Sequence, residues 1–361
     1  MALYETKAAG TVAGDSVFTG VNRKFDKSRS CIFSPLSLEQ ALAVPYVGSD
    51  GDTKAVLANE FDKVVPKGVC PIDYYGDYLN PRLTATGDVS IGNAIWINNK
   101  SGFKANPSFA KRVEKLCRVE ALPFDEKFQG IIDGFVNEKT KSMIKNGPMI
   151  DCSDPLLSVV VLNTLFLESA WKKSFVAAGK RKFTLGSGES IEHPMMSVSL
   201  GSCKYYEDEN FCAVELEYKN DFAMVVILAK GESLALVDVS ESKLAEVRRE
   251  MKTRGVEVLM PKFSAESTLL LLKPLTELTS DKIVGPYEQM GTDPLKISAI
   301  IQQCKIDVDE TGTRAAAATT ILMTKECLFK AHPTLFHADK PFMYHIAHKE
   351  KVLFMGTYIG N

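Results

Sequence analysis

The sequence predicts an α+β protein built on large mixed or antiparallel sheets, and three observations carry that prediction. Helical periodicity is concentrated in the first sixty residues. Strand-like segments dominate from residue 89 onward. One of them, SVVVLNTLFLES, is an almost unbroken apolar run with β-branched residues, as expected for a strand covered on both faces. Helices first and strands later argue against regular βαβ units. The chain has 361 residues, 45% hydrophobic and 24% charged, with 24 glycines and 16 prolines, which excludes wholesale disorder, a collagen-like chain and a coiled-coil rod.

In chain order, LSLEQALAVPYVG has apolar positions at helical spacing, with Pro35 suited to the first turn because its missing N–H is unneeded there. A Gly/Asp-rich break at 48–52 leads to a second short helix over 53–62, and 63–88, with several Pro and Gly, reads as irregular. VSIGNAIWI is a strand, FKANPSFAKRVEKL a loop feeding a helix, VEALPF a strand and IIDGFVNEKTKSMI a helix. Further strands are read at CKYYEDE, FCAVELEY, FAMVVILAK and VEVLMPKFSAE. A helix is expected near 237–252 and helical turns around 273–290. PFMYHIAH and VLFMGTYI are two final strands joined by a tight charged turn.

Lys plus Arg is 43 against 45 for Asp plus Glu, a formal net charge of −2, so no basic excess points to nucleic acid. The start, MALYETKAAG, lacks the positive start and apolar run of a signal peptide, and no segment approaches eighteen uncharged apolar residues. Eight scattered cysteines without a CxxC pair fit free thiols in a reducing compartment. The expectation is a cytoplasmic protein without membrane or nucleic-acid partners, with unconventional secretion as the alternative. No HExxH, GxSxG, GxGxxG or GxxxxGK[ST] occurs, and the five histidines form no metal pattern, so no metal, cofactor or catalytic residue is assigned.

Residues 305–330, KIDVDETGTRAAAATTILMTKECLFK, stand apart. Ile306 and Val308 alternate with charge, as in a strand. The alanine run allows a short surface helix. It equally allows an extended segment whose face Thr313, Ala315, Ala317, Thr319, Ile321 and Met323 is small enough at first to slide between existing strands. Such an insertion would add a ladder of backbone hydrogen bonds, so a fold that withholds the strand is metastable. The following Lys325, Glu326, Cys327 and Leu328 show no strong structural preference, as suits a cleavable loop.

These residues resemble the serpins over almost the entire chain. VDETGTRAAAATT resembles the hinge of the reactive-centre loop of inhibitory members, with Glu310, Gly312 and Thr313 before the small residues Ala315, Ala316, Ala317 and Ala318. FHADKPFMYHIAHKEKVLFMGTYIGN resembles the C-terminal signature. NTLFLESAWKKSF places the shutter asparagine at Asn163 and the breach tryptophan at Trp171. Ser34, Pro35 and Ser37 match the start of the shutter helix, and VEVLMPKFSAES the strand with Pro261, Lys262 and Phe263. The resemblance implies one domain over 1–361 with three β-sheets, eight or nine helices and an exposed reactive-centre loop at about 310–330, similar to the intracellular ovalbumin-like members. It also implies a monomeric suicide substrate that traps a serine protease by inserting its cleaved loop into the main sheet.

Two residues depart from that pattern. Arg314 stands where Glu is common, on the outward face. Gln302 replaces the shutter histidine, and an amide donates and accepts but does not titrate. The region 63–88 has no basic helix for a glycosaminoglycan. The resemblance places cleavage after Lys325 or Glu326. Lys325 suits a lysine-accepting serine protease, whereas Met323 or Leu328 would suit a chymotrypsin-like pocket. A cysteine protease is the other target class. The alternative function is a non-inhibitory chaperone, carrier or structural interactor on the same fold.

Overall fold

The computed structural model describes residues 16–237, 239–313 and 333–360. These form two compact units, one of 16–25, 34–166 and 267–304, the other containing the remainder. In the first unit, the helix Pro35–Gly48 is buried along most of its length. Ser34 caps it, its Oγ accepting the Ser37 N–H at 3.1 Å, with Pro35 at the first helical position. The helix Gly51–Val64 follows, longer at both ends than its pattern suggests.

Residues 71–84, expected to be irregular, are helical. Pro71–Asp73 and Asn80–Thr84 are α-helical and flank a π-helical stretch, Tyr74–Leu79. Pro71 opens the run at the first helical position, where its missing N–H is unneeded, and Pro81 sits where the π-helical stretch gives way to Asn80–Thr84. Counting this run as one, the described residues hold eight α-helical regions.

The strands Arg118–Leu122, Val89–Asn98, Val159–Leu167 and Ala299–Val308 lie in that order in a seven-stranded sheet. All nine residues of Val159–Leu167 are buried, which explains its continuous apolar pattern. The helix Phe128–Lys139 covers this sheet with Phe128, Ile132, Phe135 and Val136. These pack on Trp96, Val160, Leu162 and Ile301.

The second unit is dominated by a nine-stranded sheet. The strands Cys31–Phe33, Lys351–Tyr358, Phe342–His348, Phe222–Ala229, Phe211–Glu217 and Ser190–Glu207 follow one another across it. Lys252–Pro261 and Thr334–His337 complete the path, and Val176–Thr184 pairs on Ser190–Glu207. The described residues thus form two hydrogen-bonded sheets where three are expected. The cause is the 18-residue strand Ser190–Glu207: its first half pairs with Val176–Thr184 and its end with Phe211–Glu217, so bonding is continuous through it. Val176–Thr184 escapes a sequence reading because only Phe183 on it is buried.

Candidate functional site: hinge, breach and shutter

The strand Ala299–Val308 ends in a tight turn. The Asp309 carboxylate accepts from the Thr311 N–H at 2.7 Å, the Thr311 hydroxyl at 2.5 Å and the Gly312 N–H at 3.2 Å, an aspartate-stabilised turn. The Asp309 N–H then donates to the Gly312 carbonyl at 3.0 Å, and the chain reverses. Gly312–Thr313 is therefore already a short strand. It is antiparallel to the end of Ala299–Val308 through Val308 and Thr313, and antiparallel to Ser169–Ala170 on its other side.

This geometry dictates both residues. A Cβ on Gly312 would collide with the Ser169 carbonyl oxygen and come within 2.8 Å of the Ala170 Cα, so only glycine fits. Thr313 is fully buried, and its hydroxyl meets the Tyr218 hydroxyl at 2.5 Å. Burial holds the Tyr218 phenol far above its ordinary pKa, so it stays neutral.

Trp171 stacks on Tyr218 with ring centroids 4.0 Å apart. Its indole N–H donates to the Asp309 carbonyl at 2.8 Å and its backbone N–H to the Thr311 carbonyl at 2.9 Å. Glu310 is tied by its carbonyl to the Phe175 N–H at 2.8 Å and by its carboxylate to Lys262 at 2.5 Å. The breach tryptophan and the hinge residues Glu310, Gly312 and Thr313 thus share one site. Arg314, Ala315, Ala316, Ala317 and Ala318 lie outside the described residues, as do Met323, Lys325, Glu326 and Leu328.

Ser34, Ser37, Asn163 and Gln302 also converge. Asn163 and Gln302 are direct partners on the parallel strands Val159–Leu167 and Ala299–Val308. The Gln302 carbonyl oxygen accepts the Ser34 N–H at 2.7 Å, and its amide donates to the Ser34 carbonyl at 2.9 Å and to Asn163 Oδ1 at 3.2 Å. The Ser37 hydroxyl donates to the same Asn163 oxygen. Gln302 therefore does satisfy a network expected around histidine, using its donor and acceptor together.

The network runs further than the sequence reading placed it. Asn163 Nδ2 donates to Asn93 Oδ1 at 2.6 Å. Asn93 Nδ2 donates to the Leu116 carbonyl at 3.1 Å and to Gln40 Oε1 at 3.3 Å, and Gln40 pairs reciprocally with Asn80 at 2.7 and 3.1 Å. Asn93, Gln40 and Tyr218 were missed because their partners are far away in sequence. The D-x-x-G spacing of Asp309 and Gly312 was the one local signal for the turn.

Gly312–Thr313 thus lies within the seven-stranded sheet, between the strands Ala299–Val308 and Ser169–Ala170 and beside a tryptophan-stacked tyrosine. The chain matches the serpin (serine protease inhibitor) family over residues 17–360 and belongs to it. Its relatives include an uncharacterized serpin-like protein of Methanosarcina mazei, 28% identical over 90% of this chain and 80% of that protein. Glia-derived nexin of Homo sapiens is 27% identical over 96% of this chain and 91% of that one. Among solved structures, the thermophilic serpin Tengpin in its native state superposes with a TM-score of 0.81 at 22% identity, covering 96% of this chain and 92% of Tengpin. The family is one of inhibitors rather than enzymes.

Proposed function

We propose that the chain inhibits a serine protease as a suicide substrate. The protease serine attacks the Lys325 carbonyl, the peptide beginning at Glu326 leaves, and the remaining acyl-enzyme ester is trapped as the segment from Thr313 enters the main sheet. The observation that supports this reading most directly is the place of Gly312–Thr313, paired on both sides between Val308 and Ser169–Ala170 with Thr313 buried. Two residues of this chain are already paired there, and after Arg314 the sequence continues with the small residues Ala315, Ala316, Ala317 and Ala318. Insertion then distorts the attached protease, whose deacylation tolerates little displacement.

The fold in this reading is that of the family, with the long strand Ser190–Glu207 shared by two sheet halves that count separately in a three-sheet description. The working form is a monomer in a reducing compartment. Seven cysteines among the described residues, all free thiols, fit that setting.

The test is incubation with a panel of serine proteases, including lysine-accepting and chymotrypsin-like enzymes, and with a cysteine protease. A covalent band that survives boiling in SDS is expected with a lysine-accepting enzyme, with a released peptide beginning at Glu326. A peptide beginning at Cys327 would instead place the bond after Glu326. Cleavage without any complex would favour the chaperone, carrier or structural role.

A further inference from the structure

His345 is buried in the strand Phe342–His348, and neither ring nitrogen has a hydrogen-bond partner among the described residues. A polar ring in that setting normally finds a partner or is replaced by an apolar side chain. Its surroundings follow from the sheet register. Glu215 pairs with Val225, Val225 with His345, and His345 with Met355, and direct antiparallel partners share one face of a sheet.

That face is covered by the helix Glu241–Glu250. Leu244 and Val247 of the helix pack with Val225 and Met355, and Arg248 reaches the buried Glu215 carboxylate with its Nε at 2.9 Å. His345 therefore lies beneath the helix, in the same row as the carboxylate that anchors it.

We propose that His345 is an acid-sensitive latch: protonation of its imidazole drives the ring out from under the helix Glu241–Glu250 and loosens that helix from the sheet. Its charged neighbours either oppose imidazolium or are already bound. From the helix, Arg248 is a like charge that opposes imidazolium. Glu215, from the strand Phe211–Glu217, is two strand spacings away, about 10 Å. It is already bound by Arg248 and by Lys204 at 2.7 Å. The strand Phe222–Ala229 carries no titratable side chain, and Lys351–Tyr358 presents Val352 and Met355 to this core. On its own strand, His348 lies three residues away at the strand end, where its ring meets Phe222.

Burial first, and Arg248 second, push the His345 pKa down from 6.5 to about 4. The sign follows. A base whose pKa is lower in the closed state than in the open one binds an extra proton on opening. Closure is thus unaffected above about pH 6.5 and weakens progressively as pH falls toward 4. A shift of that size favours opening about thirtyfold at pH 5 relative to pH 8.

The experiment uses the full chain and does not depend on protease inhibition. Amide hydrogen exchange in Glu241–Glu250 is followed from pH 8 to pH 5, corrected for the intrinsic pH dependence of exchange. Wild type should show the thirtyfold rise in opening, and His345→Phe should lose most of it, since only His348, which burial also holds below its ordinary pKa, is left on that strand. Equal profiles for the two, or no rise in wild type, would overturn the latch. The titration of the His345 ring by NMR gives a second reading that needs no variant to fold: a pKa well below 6.5 is expected, and one at or above 6.5 overturns the proposal. Glu215→Gln separates the other anchor, since its carboxylate is held below the ordinary range and cannot generate a rise centred above pH 5. A rise in wild type that disappears in Glu215→Gln while surviving in His345→Phe would assign the switch to Glu215 and refute it for His345.

Discussion

Thr313 is buried against Tyr218, which Trp171 covers in turn, and a guanidinium at this position would have no partner. Thr313→Arg should cost the docked hinge about 3–5 kcal/mol through an unpaired buried charge. On the proposed mechanism protease binding and acylation would use residues further along the loop, so the variant should be cleaved normally yet trap poorly. The number of molecules consumed per protease inhibited should rise at least about tenfold. Arg314→Glu, at the position the sequence alternation expects to face outward, should leave that number unchanged. An unchanged value for Thr313→Arg, or an equal rise for both, would contradict alternating-face insertion. Gly312→Ala makes the companion prediction: its methyl meets the Ser169 carbonyl, so the two-residue strand should be displaced and Tyr218 uncovered. Trp171 fluorescence in a Trp96→Phe background should shift, and an unshifted spectrum would mean the hinge can sit elsewhere without loss.

At the level of elements, the start of the helix Pro35–Gly48 is joined to two strands at once, Ser34 to Gln302 and Ser37 to Asn163. Parting Val159–Leu167 from Ala299–Val308 breaks the hydrogen bond from the Gln302 amide to Asn163 Oδ1. Gln302→Ala should lower the resistance to parting by about 1–3 kcal/mol. On mild heating the uncleaved variant should convert faster than wild type to a heat-resistant form, followed by residual inhibitory activity. Ser34, Ser37, Gln40, Asn93, Asn163 and Gln302 carry no side chain that titrates near neutrality, so this network adds no pH dependence between pH 6 and 8. Gln302→His should introduce one, with faster conversion below about pH 6.5, because an imidazole kept neutral by burial would gain a proton as the strands part. The cluster was only partly legible in the sequence. Ser34 and Asn163 carry local signals, a helix cap and a polar residue inside an apolar strand. Asn93 and Gln40 look like ordinary polar positions until the fold brings them together. Of the hinge, the burial of Thr313 agrees with the inward face that alternation gives it, while Arg314 to Ala318 lie outside the described residues. Val176–Thr184 could not be read, since a strand with one buried residue has no period to detect.

For the molecule as a whole, cleavage between Thr313 and the strand Thr334–His337 should leave the protein much more heat-resistant, because the freed segment can complete the seven-stranded sheet. Thermal unfolding of intact and loop-nicked protein checks this, and equal melting temperatures would mean that no strand is added. The reversal at Asp309–Gly312 also bears on how quickly that can happen. Starting a new strand normally requires closing a loop and ordering its first residues before any bond repays the entropy lost. Here that nucleus exists beforehand, bonded on both sides at Gly312–Thr313. Growth is then simple propagation, one residue pair at a time, and its speed is governed by how readily the strands ahead unzip rather than by a search for the first contact. On the proposed mechanism, the race against deacylation would begin with strand nucleation already complete.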